Sequence, residues 1–201
     1  LLAVPGEIQI HLRAWSQDEA AANPLLDELA ERIRFALGEA VFSTRGESLE
    51  EVVANALNQN AATIAVAESC TGGLVGQRLT SIPGSSSYFL GGVVCYSNNL
   101  KSAWVDVPEE LIEAKGAVSA EVAIALAEGI RQRANATLGL AITGIAGPSG
   151  GTPDKPVGLV FHALAGDGGT EVVERSFPGD RKRIRRFATQ QALDMVRRKL
   201  I

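Results

Sequence analysis

Apolar residues recur at two different spacings over the first 45 positions of this chain. Every second residue over 8–12 is apolar, which predicts a half-buried strand from Glu7 to Trp15. From about Asp18 to Leu37 the apolar residues recur at helical spacing, and Gly38 is the expected stop. A second strand is predicted at Val41–Ser43. A strand-helix-strand unit of this size buries too little surface alone, so we expect it to pack on a neighbour.

A different pattern begins after residue 45. Ser48, with Glu51 three positions later, forms a capping box that predicts a helix to about Asn60. Apolar runs and helical patterns then alternate to the end of the chain. The predicted strands are Thr63–Ala67, Tyr88–Tyr96, Leu138–Thr143, Gly158–Ala165 and, at an edge, Glu171–Phe177. The predicted helices are Thr71–Ile82, Pro108–Ala114, Ser119–Ala134 and a basic helix from a cap at Asp180 to about Leu200.

This alternation predicts an α/β fold, a layered sandwich with a central mixed or mostly parallel sheet flanked by helices. The patterning changes at Gly46–Glu47, which we interpret as a domain boundary. We therefore expect a small α+β connector at residues 1–45 and a main domain at residues 46–201. Because the chain begins Leu1-Leu2-Ala3 without Met, we also expect it to be part of a longer protein.

The segment after the first buried strand carries the strongest chemical signal. It holds two nucleophile-type residues, Ser69 and Cys70, followed by three small residues, Thr71, Gly72 and Gly73. A strand-to-helix turn leaves the first helix amides without intrahelical partners, so they can bind a phosphate or a developing oxyanion. Adjacent side chains point in different directions, so only one nucleophile is expected to face the site. The thiol competes with the hydroxyl because a helix N-terminus can depress its pKa.

A serine hydroxyl is a poor nucleophile until a base takes its proton. The two histidines, His11 and His162, lie in the predicted connector and in a strand, where a packed or surface role fits better than catalysis. Lys101 follows the strand that ends at Tyr96, and it can act as a base if desolvation lowers its pKa. The alternative is a solvated lysine. Tyr96 either relays the proton, orients the lysine or packs on the core.

Three motifs occur in order along the main domain. They are residues 67–73 (AESCTGG), residues 91–101 (GGVVCYSNNLK) and residues 143–158 (TGIAGPSGGTPDKPVG), with weaker matches at residues 116–119 and 177–181. Together they resemble the CinA C-terminal family, the nicotinamide-nucleotide amidohydrolases, over about residues 46–201. One such glycine-rich motif is a weak signal, whereas three in register are a strong one.

The resemblance implies hydrolysis of the carboxamide of nicotinamide mononucleotide to nicotinic acid mononucleotide and ammonia. The reaction would proceed through a serine acyl-enzyme, without a cofactor or a metal. The resemblance assigns Ser69 as the nucleophile with Tyr96 and Lys101 as its partners, and it makes Cys70 a small buried residue. Asn99 departs from the family pattern, which usually has an acidic residue there.

The resemblance also implies a substrate pocket. The residues it assigns to the oxyanion or the substrate are Glu68, Thr71, Gly72, Gly73, Thr143, Gly144, Ala146 and Gly147. Glycines in the loop after residue 143 allow the backbone to approach a ligand closely, and the loop has no match to a phosphate-binding P-loop. Lys155 or Arg181 is the expected partner of the substrate phosphate. Glu68 either accepts from backbone amides, binds the ribose or fixes the turn.

Composition restricts the possible partners. A net charge of −4 with mixed signs gives no general attraction to nucleic acid. The basic run over 181–186 resembles a nucleic-acid patch, but a helix distributes it around the axis, so a solvated face fits better. Two cysteines make no disulfide framework, and no metal-ligand spacing is present. The sequence lacks a membrane span and a signal peptide, so we expect a cytoplasmic protein.

The connector at residues 1–45 is similar to the KH-like segment of the same family. It lacks the GXXG loop with which KH modules clamp nucleic acid, so we expect no nucleic-acid partner. The expected partners are the mononucleotide, an N-terminal domain of the same full-length protein and other copies of the chain in a homo-oligomer. The alternative function is a non-catalytic nucleotide-sensing or protein-interaction module, linked to competence or DNA damage, which would need no reactive serine.

Overall fold

Strands and helices alternate along most of the chain. A computed structural model describes residues 1–4, 6–15 and 19–201. The strands are β1 (Leu2–Val4), β2 (Glu7–Gln9), β3 (Ile64–Glu68), β4 (Phe89–Val94), β5 (Leu138–Gly144), β6 (Leu159–Gly166) and β7 (Gly169–Ser176). The helices are α1 (Glu19–Leu37), α2 (Leu49–Gln59), α3 (Leu74–Thr80), α4 (Asn98–Val105), α5 (Glu109–Lys115), α6 (Ala120–Ala134) and α7 (Arg181–Leu200).

The first 45 residues differ from the expected strand-helix-strand unit. β1 and β2 form a short antiparallel hairpin, so the strand predicted over Glu7–Trp15 is wrong beyond Gln9. Its alternation did not indicate half-burial, because Ile8 and Ile10 are exposed. The predicted helix start at Asp18 lies outside the described residues, and α1 begins at Glu19 within them.

The strand predicted at Val41–Ser43 is also absent. The chain passes from a 3₁₀ turn at Gly38–Ala40 into irregular structure, and Phe42 packs its ring on the core of the main sheet. The segment is half-buried, but the strand prediction is wrong, because no strand within the described residues pairs with it. The division into residues 1–45 and 46–201 stays a prediction.

The remaining strands form one sheet in the order β4-β3-β5-β6-β7. β4, β3 and β5 are mutually parallel, β6 pairs antiparallel with β5, and β7 pairs antiparallel with β6. The predicted α/β class with a mixed central sheet is thus confirmed. β3 and β6 are buried along their whole length, which explains their continuous apolar runs. The carboxyl ends of the three parallel strands meet at one edge of the sheet, where ligand sites of α/β proteins form.

Helices cover the sheet on two sides, and each side encloses its own core. On one side α2, α3 and α7 pack on Ile64 and Val66 of β3. On the other side α4, α5 and α6 pack on Ala65 and Ala67 of the same strand. Side chains of a strand alternate between its two faces. In β3 the even-numbered residues therefore contact α2, α3 and α7, and the odd-numbered residues contact α4, α5 and α6. This parity separates the residues of the candidate site.

Close packing sets the position of α4. A Cβ atom on Gly129 of α6 would collide with the backbone carbonyl of Val105 at the end of α4. Only glycine allows the two helices to approach this closely. The contact holds α4 against the layer of α6, and α4 carries Lys101.

Candidate active site

Ser69 and Cys70 follow β3 and continue its alternation. Cys70 belongs to the core under α2, α3 and α7, and it is buried. Ser69 has the opposite parity, and its Oγ lies 3.4 Å from Nζ of Lys101 on α4, in the other layer. Only one of the two neighbouring side chains, the hydroxyl of Ser69, therefore lies beside Lys101, and its role as the nucleophile stays a prediction. Burial raises the pKa of the Cys70 thiol to about 12, so the thiol is protonated near neutral pH.

Lys101 is buried, with 1% of its surface exposed. Its Nζ lies 3.0 Å from the carbonyl oxygen of Cys95 and 3.2 Å from that of Tyr96. Within the described residues, no carboxylate forms a salt bridge with it. Desolvation therefore lowers the pKa of Lys101 below its ordinary value of 10.5. The solvated-lysine alternative is excluded by this burial.

Three oxygens surround Nζ, and a neutral amine has two N–H donors and one lone pair to direct at them. The two N–H bonds of the amine donate to the carbonyls of Cys95 and Tyr96. The remaining lone pair then faces Ser69 Oγ and can accept its proton. Since a protonated lysine has no lone pair, the arrangement works as a base only in the neutral state.

Glu68 lies on the opposite face from Ser69 and is buried. Its carboxylate accepts hydrogen bonds from the amides of Gly73 (2.9 Å), Val75 (3.2 Å) and Gly76 (2.9 Å) at the start of α3. A carboxylate at this position satisfies the orphan amides and complements the helix dipole. Of the three interpretations of Glu68, the structure supports hydrogen bonding to the backbone amides, which also fixes the turn.

The free amides expected over residues 71–73 are only partly present. α3 begins at Leu74 rather than at Thr71, so the small residues form a turn before the helix. Within that turn the amide of Gly73 donates to Glu68, and the amide of Gly72 donates 3.1 Å to the carbonyl of Ser69. These two amides are therefore not oxyanion donors in this arrangement, because internal acceptors have taken them.

Two amides of the same turn remain available. Among the described residues, the backbone N–H groups of Cys70 and Thr71 donate to no other residue, although that of Cys70 interacts with its own thiol. They directly follow Ser69, the position from which many hydrolases donate to an oxyanion. Thr71 also has a buried hydroxyl without a partner. Of the expected donors only Thr71 therefore remains available, and Cys70 joins it in place of Gly72 and Gly73.

Tyr96 occupies a different position from that of a proton relay. Its phenol oxygen accepts a hydrogen bond of 2.7 Å from Nη2 of Arg181, and 54% of its surface is exposed. The described contact of Tyr96 with Lys101 comes from its backbone carbonyl instead. The phenol therefore does not link Ser69 to Lys101 in this arrangement, and a relay role stays a prediction.

Arg181 connects the ends of two strands. Besides Tyr96 after β4, its guanidinium donates 2.9 Å to the carbonyl of Gly147 after β5. The guanidinium is exposed and, within the described chain, forms no salt bridge. It is therefore a cation without a described carboxylate partner at the sheet edge where Ser69 lies, and its assignment to the substrate phosphate stays a prediction.

The other residues assigned to the pocket divide into two groups. Thr143 and Gly144 end β5, and the Thr143 hydroxyl donates 2.7 Å to the carbonyl of Ala117, which anchors the loop before α6. A Cβ on Gly144 would meet the backbone of β6, so its role is packing. Ala146 is buried in the core, and Gly147 has a positive φ of 73° beside Val157. These contacts shape the loop after β5, and no contact to Ser69 is seen for them.

Lys155 lies in the same loop but contacts another element. Its Nζ donates 2.6 Å to the carbonyl of Lys115 at the end of α5. The structure therefore places Arg181, and not Lys155, in a hydrogen bond with the Tyr96 side of the site. A cation at a helix C-terminus complements the dipole, which gives Lys155 a structural role.

Sequence reasoning missed Arg185. One turn of α7 after Arg181, this half-buried residue donates from Nε to the carbonyl of Cys70 (3.1 Å) and from Nη2 to the carbonyl of Thr71 (2.7 Å). The basic run had been interpreted as scattered around the helix. Positions i and i+4 share a face, however, and this periodicity was available from the sequence.

The remaining chemistry candidates belong to the scaffold. His162 is buried, its Nε2 lies 3.0 Å from the carbonyl of Ala188, and desolvation lowers its pKa to about 4. His11 is exposed near Gln9. In the described parts of the chain, no group of three or more His, Cys, Asp or Glu residues is arranged to hold a metal ion. No described helix combines the length and the apolar character needed to cross a bilayer.

Comparison with known proteins identifies the family. The family model of the CinA C-terminal domain matches residues 46–200, which include every residue of the site described above. The chain belongs to the CinA C-terminal domain family. It is 56% identical to a CinA-like protein of Koribacter versatilis over 201 residues, all of this chain and 49% of that protein. It is 46% identical to a putative competence-damage inducible protein of Desulforudis audaxviator, covering 98% of this chain and 48% of that protein.

Solved structures of CinA proteins have the same fold. A competence/damage inducible protein of Agrobacterium tumefaciens matches with a TM-score of 0.68 and 37% identity, over 73% of this chain and 92% of that one. The competence damage-inducible protein A of Klebsiella pneumoniae matches with a TM-score of 0.73 and 32% identity, over 76% of this chain and 94% of that one. The chain spans about half the length of the curated CinA-like relatives it matches.

Proposed function

We propose that this CinA domain hydrolyses the carboxamide of nicotinamide mononucleotide to nicotinic acid mononucleotide and ammonia. The observation that carries the proposal is the pair formed by Ser69 Oγ and the buried Lys101 Nζ, 3.4 Å apart. A hydroxyl beside an amine that lacks a counter-ion is the arrangement of a Ser-Lys acyl-transfer site. Membership of the CinA family supports this chemistry.

The reaction consumes one water and releases one ammonia. Ser69 Oγ attacks the carboxamide carbon while its proton passes to Lys101 Nζ. The C–N bond then breaks, and Lys101 returns the proton to the leaving nitrogen, which departs as ammonia. Water attacks the resulting ester with Lys101 again as the base, and the Ser69 hydroxyl is restored. The amides of Cys70 and Thr71 are the donors for the oxyanion in both steps.

Charge at the site supports an anionic substrate. The guanidinium groups of Arg181 and Arg185 lie on one face of α7, and neither forms a salt bridge with a described carboxylate. Arg181 is exposed, so its guanidinium is accessible to a phosphate, for which guanidinium forms bidentate hydrogen bonds. Arg181 is therefore the phosphate partner in this proposal.

The test is ammonia release from nicotinamide mononucleotide, measured by a coupled assay with the wild-type chain and Ser69→Ala. We expect turnover in the wild type, none in Ser69→Ala, and a mass increase on Ser69 equal to the nicotinoyl mononucleotide group in acid-quenched samples. A folded wild-type chain that releases no ammonia contradicts the proposal.

A nucleotide-sensing module is the second candidate, and one observation favours it. Only 8% of Ser69 is exposed, so little of this residue is accessible to a substrate in this arrangement. Isothermal titration with the mononucleotide, run beside the ammonia assay, separates the two functions. Saturable binding without turnover supports the module, whereas turnover supports the amidohydrolase.

A further inference from the structure

The carbonyl groups after Ser69 are held by one side chain. Arg185 donates to the carbonyl of Cys70 with Nε (3.1 Å) and to that of Thr71 with Nη2 (2.7 Å). The two consecutive peptide groups are thus fixed by a planar fork of donors. Gly72 lies under the same guanidinium, since a Cβ there would be 3.2 Å from Nη2. The contact is therefore close enough to favour glycine at this position.

The fork sets the direction of an amide on the other side of the peptide. The peptide between Cys70 and Thr71 is trans, so its N–H points opposite to its C=O. The C=O points to Arg185 on α7. The N–H of Thr71 therefore points away from α7. The layer of α4, where Ser69 Oγ lies beside Lys101, is on the other side of the sheet. This amide has no acceptor in the described structure.

The positive charge of Arg185 also acts on the peptide group that it orients. Arg185 has no salt bridge with any described carboxylate, so its positive charge acts on the turn without neutralisation. A charged donor on the carbonyl polarises the whole peptide group and makes its N–H a stronger donor, because hydrogen bonds in a chain reinforce one another. The same carbonyl bonds contribute to the packing of α7 on the turn, so a test has to separate the two effects.

We propose that Arg185 is a positioning residue for the oxyanion site. By holding the carbonyls of Cys70 and Thr71, it aims and polarises the amide of Thr71 toward the oxygen that becomes negative when Ser69 attacks. The inference rests on the proposed acyl transfer at Ser69. It assigns Arg185 a role in the transition state, distinct from the ground-state contact of Arg181 with the substrate.

The first experiment compares Arg185→Met with Arg186→Met in ammonia release from nicotinamide mononucleotide. Both variants remove one positive charge from adjacent positions of α7, but Arg186 has no described hydrogen bond to the turn. Loss of a well-aimed oxyanion donor lowers kcat by about 100-fold. We expect such a fall in Arg185→Met with KM changed less than threefold, and no comparable fall in Arg186→Met. Arg185→Lys, which retains the charge and one bond, should lie between them.

Rescue separates positioning from folding. Guanidinium at non-denaturing concentration should restore part of kcat to Arg185→Ala and leave Ser69→Ala inactive. Equal kcat in Arg185→Met and Arg186→Met overturns the inference, as does a loss confined to KM, which would make Arg185 a substrate ligand.

A second readout is independent of the nucleotide. A fluorophosphonate forms a P–O bond with Ser69 Oγ as its P–F bond breaks; fluoride leaves, the Ser69 proton passes to Lys101, and the P=O oxygen occupies the oxyanion position. We expect its rate of modification to fall at least tenfold in Arg185→Met and to stay unchanged in Arg186→Met. Equal rates overturn the inference even if the wild type turns over no mononucleotide, whereas a slowed rate supports it even if the proposed substrate is wrong.

Discussion

Ser69 and Cys70 are neighbours in the chain, yet their side chains lie in different helix layers of the protein. The hydroxyl is 3.4 Å from Lys101, and the thiol is buried in the core under α2, α3 and α7. The alternation of β3 thus separates a reactive hydroxyl from a protonated thiol across one peptide bond.

From this relationship we expect Ser69→Ala to abolish ammonia release and Cys70→Ala to retain most of it. In the proposed reaction the hydroxyl forms the acyl bond, whereas the thiol packs in the core. Cys70→Ala should lower stability by about 1 kcal/mol, since a small buried group is lost. Turnover and thermal melting of both variants check this. Activity that survives in Ser69→Ala and disappears in a folded Cys70→Ala would transfer the nucleophile to the thiol.

The activity should depend on pH through Lys101. Desolvation lowers its pKa, and only the neutral amine has a lone pair for the Ser69 proton. We expect kcat/KM to rise with pH through an apparent pKa below 10.5 and to level off above it. Lys101→Arg should be inactive at every pH in this range, because guanidinium keeps its proton. An Arg variant with correct circular dichroism and near wild-type rates would show that Lys101 acts only as a charge.

Removing the same lysine should stabilise the protein. Lys101 is buried without a carboxylate partner, so Lys101→Met should raise the free energy of unfolding by about 1 kcal/mol at pH 7 while abolishing activity. The lowered pKa means that the unfolded chain binds more protons than the folded one between that pKa and 10.5. Wild-type stability therefore rises with pH in this window, and the advantage of Met should shrink. Urea unfolding at several pH values measures the difference in the free energy of unfolding between the Met variant and the wild type. A Met variant less stable than the wild type at pH 7 contradicts the argument.

Glu68 should be a stability residue. Its buried carboxylate accepts three amides at the start of α3, and hydrogen bonds to charged groups contribute about 1.5–3 kcal/mol each when measured by deletion. Glu68→Gln places an amide donor near those N–H groups, and we expect a loss of about 3 kcal/mol in urea unfolding. Glu51→Gln is the matched control, because Glu51 is an exposed carboxylate in the capping box of α2. Similar losses in both variants would argue against a special role for Glu68.

Tyr96→Phe should change little at the reaction centre. The substitution removes the hydrogen bond from Arg181 but keeps the backbone carbonyl that holds Lys101. We expect kcat to fall less than tenfold, much less than in Lys101→Ala, and the effect of Tyr96→Phe to disappear in an Arg181→Met background. Steady-state kinetics of this double-mutant cycle check it. A fall in kcat as large as that of Lys101→Ala would restore the phenol to the proton path.

The sequence predicted the parts of the site that depend on local periodicity. The alternation that separates Ser69 from Cys70, and the capping box of Ser48 with Glu51, both follow from spacing alone, and the capping box is confirmed. α4 was missed because a helix of eight residues gives too short a window for a 3.6-residue period. Lys101 was therefore expected at a strand exit, whereas it lies on a helix.

Contacts between distant segments could not be predicted in the same way. The hydrogen bonds of Arg185 with Cys70 and Thr71 join positions more than a hundred residues apart, and they depend on how α7 docks on the sheet. The hydrogen bond from the Gly73 amide to the Glu68 carboxylate joins residues only five positions apart, but it requires the carboxylate to reach across the turn that separates them. Secondary-structure propensity predicts neither the Arg185 hydrogen bonds nor the Glu68 hydrogen bond, because tertiary packing determines both.

The cradle of Lys101 has a consequence for how this site can be mapped. Two of the three oxygens around its Nζ belong to the main chain, at Cys95 and Tyr96. An alanine scan leaves both carbonyls in place, so its results at positions 95 and 96 report the side chains and not the hydrogen bonds that hold Lys101. Substitution experiments on such a domain therefore miss the contribution of these main-chain groups. For the same reason, the side chains at positions 95 and 96 can change while the carbonyls that hold Lys101 remain.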